Sequence, residues 1–168
     1  CAEPGAGGGN VKSDRSEPAG GRRRVVEAIV FRRTDPVMFL LLRRTPARGG
    51  WWQAVTGSVE SEEDLETAVR REVREETGIG ELSDLVDLDY AFPFEFTKYG
   101  GKGPLEAVKH SFGVEVGGET VEIGPEHDAW EWVAYEEALE RLTWEDNKEA
   151  FRRLQSYLAR GAGKADNG

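Results

Sequence analysis

Between Ser61 and Gly78 the chain encodes one helix that carries charge on the side where a packed helix is apolar. Ser61-Glu62-Glu63-Asp64 approximates a capping box, with a hydroxyl N-cap and a carboxylate three residues on. Gly78 supplies a left-handed stop, so the spacing predicts a helix from about Glu62 to Thr77. On a wheel of 100° per residue with Leu65 at zero, Ala68 falls at about −60°, Val69 at about +40° and Val73 at about +80°. Glu72, at about −20°, and Glu76, at about +20°, lie inside that apolar stripe, with Glu75 on its edge at about −80°. Buried carboxylates lose much of their hydration energy unless something positive faces them. Two arrangements answer this. Carboxylates at i, i+3 and i+4 converge on a hard cation such as Mg²⁺, or the helix is laced by Arg71–Glu75 pairs one turn apart.

The rest of the chain must supply a surface for that helix. Val25 to Phe31 and Val37 to Leu42 read as strands, the second largely buried, joined by a Thr34-Asp35-Pro36 turn. Further strands are expected at Leu85 to Phe96, Ala107 to Val116 and Trp130 to Val133. A short helix follows from Tyr135 to Leu142, then an amphipathic one from about Asp146 to Ala159 with Phe151, Leu154 and Leu158 on one face. Strands and helices mixed without regular alternation indicate an α/β or α+β sandwich, not a doubly wound sheet. Residues 1–21, with their Gly7-Gly8-Gly9 run, are expected to be disordered, as are 161–168. Residues 22–160 make one domain. Between the two long strands, Lys98 to Pro104 reads as a mobile loop tip.

Charge narrows the function. Thirty-two acidic residues against 22 basic ones give a net charge of −10, so an extended nucleic-acid groove is not expected. A polyanionic ligand would need a divalent cation and a few placed arginines. No apolar run approaches the roughly 18 residues of a membrane span. The single cysteine, Cys1, leaves no intramolecular disulfide and fits a reducing compartment or indifference to redox. With no apolar signal region before it, a trimmed chain is the preferred reading over a mature lipoprotein. The expected location is cytoplasmic.

A longer pattern decides between the two readings of the helix. Gly57, five residues, Glu63, seven more, then Arg71-Glu72-Val73-Arg74-Glu75-Glu76-Thr77-Gly78-Ile79 resembles in full the signature of the Nudix hydrolases. The order of flanking elements from Val25 to Ala159 is similar as well. The resemblance implies an α/β/α sandwich with a mixed central sheet and a loop–helix–loop box, using Mg²⁺ or Mn²⁺ to hydrolyse a diphosphate linked to another group. Carried over, it makes Glu72, Glu75 and Glu76 metal carboxylates and lets the Gly57 backbone approach the metal. It gives Arg71 the task of holding the glutamates, and Glu72 or a distant glutamate that of handling the water. Glu63 would cap and stabilise the loop–helix.

The flanks resemble the dihydroneopterin triphosphate pyrophosphatases of that family. Trp52 to Glu60 leads into the box, and Glu126-His127 precedes Trp130-Glu131-Trp132-Val133. This implies that Glu126 completes the metal site from outside the box, with a surface acid as the alternative. Arg43 and Thr56 match substrate-contacting positions, and Asn147 is a third match. Phe94, in the Phe92-Pro93-Phe94-Glu95-Phe96 run, would stack on a flat heterocycle, or else pack in the core. The loop Thr97 to Glu106 and the first 21 residues have no counterpart. The expected reaction converts a triphosphate, 7,8-dihydroneopterin triphosphate first, to a monophosphate and pyrophosphate, in the context of folate synthesis. A broad nucleoside triphosphate pyrophosphohydrolase and a catalytically silent Nudix binding module are the alternatives. The molecule is expected to be a monomer or homodimer with a small-molecule partner and no membrane.

Overall fold

The computed structural model describes residues 23–97 and 104–167, and the side chains of 23–95 and 105–160. Strand β1 (Arg23–Arg32) is buried almost throughout, as expected of a near-continuous apolar strand at the centre of a sheet. It pairs antiparallel with β2 (Met38–Arg44) and β4 (Val55–Ser58), and parallel with β6 (Pro104–Glu115). On one side β6 pairs antiparallel with β5 (Asp84–Thr97). On the other, β2 also takes β3 (Trp52–Gln53) and β7 (His127–Val133) as antiparallel partners. The result is the mixed central sheet that the resemblance implied.

Period-two alternation sends successive residues of β1 and β2 to two different cores. Ala28, Val30, Leu40 and Leu42 pack with Ala68, Val69 and Val73 of helix α1 (Leu65–Thr77). Ile29, Phe31, Phe39 and Leu41 pack on the opposite face with Phe151, Leu154 and Leu158 of helix α3 (Glu145–Asn167). Helix α2 (Tyr135–Arg141) adds Ala138 and Leu139 to this second layer. Gly113 is required here, because a Cβ on it would lie 2.7 Å from Leu154 Cδ1. Helix, sheet and helix form the expected α/β/α sandwich.

Two boundaries differ from expectation. Helix α1 starts three residues late because Asp64, not Ser61, caps it: Asp64 Oδ1 accepts from the Thr67 amide at 2.7 Å. The preceding residues close a turn instead, with the Glu63 amide bonded to the Glu60 carbonyl and Glu62 at φ 69°. Helix α3 continues to Asn167, past the expected end at Ala159. The expected disorder of residues 1–21 and the mobile tip at 98–103 fall outside the described residues.

Candidate active site

The site starts from Arg71, one turn into the exposed-to-buried boundary of α1. Its guanidinium donates to both oxygens of Glu63, at 2.8 and 2.9 Å, and to the Ser58 carbonyl at 2.9 Å. A further nitrogen donates to Glu72 at 3.0 Å and to Glu75 at 3.4 Å. This fork ties the loop before the helix to the helix itself. The hydrogen bonds from Arg71 hold Glu63 below the ordinary carboxylate range, and Glu63 in turn raises Arg71. Glu63 also accepts from the Glu60 amide at 2.9 Å, so its cap-like role lies in the loop, not in the helix.

Glu72 and Glu76 project from α1 toward β4. Glu72 is buried, and its carboxylate lies against Gly57, where a Cβ would stand 2.0 Å from Glu72 Cδ. Only glycine leaves room for that carboxylate. Burial pushes Glu72 up to about 7, with Glu75 and Glu126 adding repulsion and Arg71 opposing it. Glu76 stands well above its ordinary value, chiefly from burial and then from the charges of Glu72 and Glu126. Arg44 and a hydrogen bond from the Thr56 backbone oppose that rise. One oxygen of Glu76, Oε1, is buried with no hydrogen-bond partner. Glu126 lies on the loop before β7, where its carbonyl accepts from the Thr45 amide at 3.2 Å.

The structure therefore gathers Glu72, Glu76 and Glu126 into one electrostatic unit from two elements, and leaves the Glu75 side chain 57% exposed beside Arg71. Among the described residues, no three acidic or imidazole side chains form a closed set of metal ligands. The donor chemistry nevertheless fits a hard divalent cation. Facing carboxylates repel one another, and an orphaned carboxylate oxygen is what oxygen-seeking Mg²⁺ or Mn²⁺ satisfies.

The flanking residues divide. Thr56 is buried, its backbone tied to Glu76 and its hydroxyl 3.4 Å from Gln53 Nε2. Arg43 turns outward, pairing with Asp128 at 2.8 Å and lying over the Trp52 ring. Phe94 is buried with Val25 and Ala107 and stacks on Phe92, so in this conformation its ring serves packing. Arg44 is the residue sequence reasoning passed over. It is 4% exposed, its Nε donates to the Arg48 carbonyl at 2.8 Å, and its charge reaches both Glu76 and His127. The alternation Leu40–Leu42–Arg44 was the available signal, since it puts Arg44 on the α1 face.

A family model, NUDIX domain, matches residues 21–154. The chain belongs to the Nudix family. This Nudix domain is 40% identical over 142 residues to an octanoyltransferase of Myxococcus xanthus, covering 84% of this chain but 39% of that protein. The chain thus spans about two-fifths of the length of that relative. It is 32% identical to an RNA pyrophosphohydrolase of Gluconacetobacter diazotrophicus, covering 66% of this chain and 76% of the relative. It is 27% identical to a dihydroneopterin triphosphate diphosphatase of Haemophilus influenzae, covering 81% and 89%. Among solved structures, a Listeria monocytogenes protein assigned as a NUDIX hydrolase superposes with a TM-score of 0.69 at 26% identity, over 82% of this chain and 94% of the other. The match takes in the complete box from Gly57 to Ile79. Among the described residues, no helix is long and apolar enough to cross a membrane.

Proposed function

We propose that this Nudix hydrolase converts a triphosphate to a monophosphate and pyrophosphate, and that its substrate is 7,8-dihydroneopterin triphosphate. The observation that carries the reaction is the electrostatic unit of Glu72, Glu76 and Glu126, with its orphaned oxygen on Glu76. Glu72, Glu76 and Glu126 would hold Mg²⁺ or Mn²⁺, with Glu75 in reach at the exposed edge and the Gly57 backbone beside them. When bound, the cation neutralises the phosphate charge on which in-line hydrolysis depends. The chain's own residues set the geometry. Arg71 fixes the loop against the helix, and Thr56 holds Glu76. Glu126, on a different element from the box, orients the water from the opposite side. Arg44 contributes positive charge beside Glu76, and Arg43 stands at the rim.

The pterin assignment is supported by the Trp52 to Glu60 lead-in, the Glu126-His127 pair and the relative from Haemophilus influenzae. The net charge of −10 argues against a long RNA, although the Gluconacetobacter relative bears an RNA name. Steady-state kinetics of the full chain with Mg²⁺ test the reading. The pterin triphosphate should exceed each of the eight common nucleoside triphosphates in kcat/KM. A nucleotide that equals it points to the broader pyrophosphohydrolase, and no pyrophosphate release from any triphosphate refutes the reaction.

A further inference from the structure

Residues 45–50, the connection from β2 to β3, lie outside the carboxylate unit yet hold the backbone of one of its members. The Thr45 carbonyl accepts from the Arg48 and Gly50 amides at 2.9 and 3.1 Å, and the Arg48 carbonyl accepts from Arg44 Nε at 2.8 Å. These bonds close the segment into a compact turn. Its Thr45 amide donates to the Glu126 carbonyl at 3.2 Å, so the backbone carrying Glu126 follows wherever the turn sits.

Trp51 decides where the turn sits. Gly49 has φ 119°, and a Cβ on it would stand 2.1 Å from the Trp51 ring, so glycine both adopts this backbone and admits the indole. The ring centroid lies 5.1 Å from that of Trp144, and the Arg44 guanidinium lies 5.6 Å from it. The indole N–H opens a second route. Trp Nε1 only donates, and it reaches Gln53 Oε1 at 3.0 Å, which fixes the amide of that buried glutamine. Gln53 Nε2 then faces Thr56 Oγ1 at 3.4 Å, and the Thr56 backbone bonds Glu76. One side chain thus leads to carboxylates on two different elements. Packing alone needs the ring; the bond to Gln53 needs the N–H as well.

We infer that Trp51 is a positioning residue for the carboxylate site, setting Glu126 through the 45–50 turn and Glu76 through Gln53 and Thr56. The inference rests on the metal-centred reading above and adds the support that holds two of its carboxylates in place. Such support matters because a site tolerates only about 0.5 Å of misplacement. Groups that orient metal ligands from behind cost about ten- to a hundredfold in affinity or activity when removed.

Mn²⁺ binding to the EDTA-treated full chain, followed by the electron paramagnetic resonance of the free ion, reads the placement without turnover. The site's own share is the tight binding that Glu76→Gln removes. Trp51→Leu, which loses ring and N–H together, should weaken that binding by at least about tenfold. It should also lower kcat at saturating Mn²⁺ by a similar factor, with KM for the triphosphate within about threefold. Trp51→Phe, which keeps a ring and loses the N–H, should fall between Trp51→Leu and wild type. Wild-type Mn²⁺ affinity and kcat in folded Trp51→Leu overturn the inference and leave the indole a packing group. The same values in Trp51→Phe overturn the route through Gln53. If Trp51→Leu does not fold, Trp144→Leu, which removes a neighbour of the same ring, carries the test by the same criteria. Wild-type protein without tight Mn²⁺ refutes the metal reading and the inference with it. Tight Mn²⁺ that Trp51→Leu releases upholds the inference even where no triphosphate is hydrolysed and the reaction reading fails.

Discussion

Glu76 concentrates the chemistry of the site in one side chain. Its charge is opposed by burial, by Glu72 and by Glu126, and one of its oxygens has no partner. Glu76→Gln should therefore lower kcat by at least about 10³, the scale of losing a metal carboxylate, while the melting temperature of EDTA-treated protein stays level or rises. Near-normal turnover at saturating Mg²⁺ would remove Glu76 from the site. Glu126→Ala should reduce kcat far more than it raises KM, because its carboxylate serves the water and not the ground-state substrate. Glu122→Ala and Glu131→Ala are the controls; exposed Glu131 spends its carboxylate on half-buried Arg141 at 2.7 Å. Equal losses in all three would show a general acidic field. At this scale the box glutamates were legible because their spacing along one helix is local. Lys109–Asp146 and Glu27–Asn147 were not, because their partners are 37 and 120 residues apart in the chain. A single sequence carries no sign of which distant acid meets which base.

At the scale of elements, helix α1 shows where pattern reading succeeds and where it slips. Its apolar stripe and its Gly78 stop, at φ 78°, follow directly from periodicity and from glycine's freedom at positive φ. Its start did not, because Ser61, Glu63 and Asp64 can all cap, and the choice was made by Arg71. That guanidinium draws Glu63 into the 58–63 loop, leaving Asp64 to cap. Asp64→Ala should lower the midpoint of chemical denaturation by removing the cap, with activity nearly unchanged. Ser61→Ala should cost much less. A larger effect from Ser61 would mean that the turn, and not the cap, nucleates the helix. Strand β2 shows the same limit in its pairing: its register against β7 shifts between Arg43 and Arg44, which alternation within β2 does not announce.

For the whole molecule, burial in the sandwich shifts titrating groups in opposite directions. Glu72 is raised from the usual carboxylate value to about 7, so the folded state binds more protons than the unfolded one across roughly pH 4.5 to 7. Stability from this group is thus lost as pH rises through that window in EDTA-treated protein. His127 is lowered to about 4 by burial and by Arg44 and Arg48, so its contribution runs the other way and is lost as pH falls below about 6.5. Glu76 is raised as well, so two carboxylates oppose one imidazole, and in EDTA-treated protein stability should fall as pH rises from about 4.5 to 6.5. A divalent cation acts on the carboxylates alone, because it binds their ionised form and leaves His127 untouched. Saturating Mg²⁺, at about 100 times its Kd, should stabilise the protein by about 2.7 kcal/mol at pH 8, a rise of about 5 to 10 °C in melting temperature for a chain of this size. At pH 5, with Glu72 and Glu76 protonated, the rise should fall below about 2 °C, since proton and cation compete for the same oxygens. Scanning calorimetry with and without Mg²⁺ at the two pH values measures the difference directly. Equal shifts at pH 5 and pH 8 would place the cation on carboxylates of ordinary acidity elsewhere on this strongly acidic surface, and the buried Glu72–Glu76 pair would lose its role as the metal cradle.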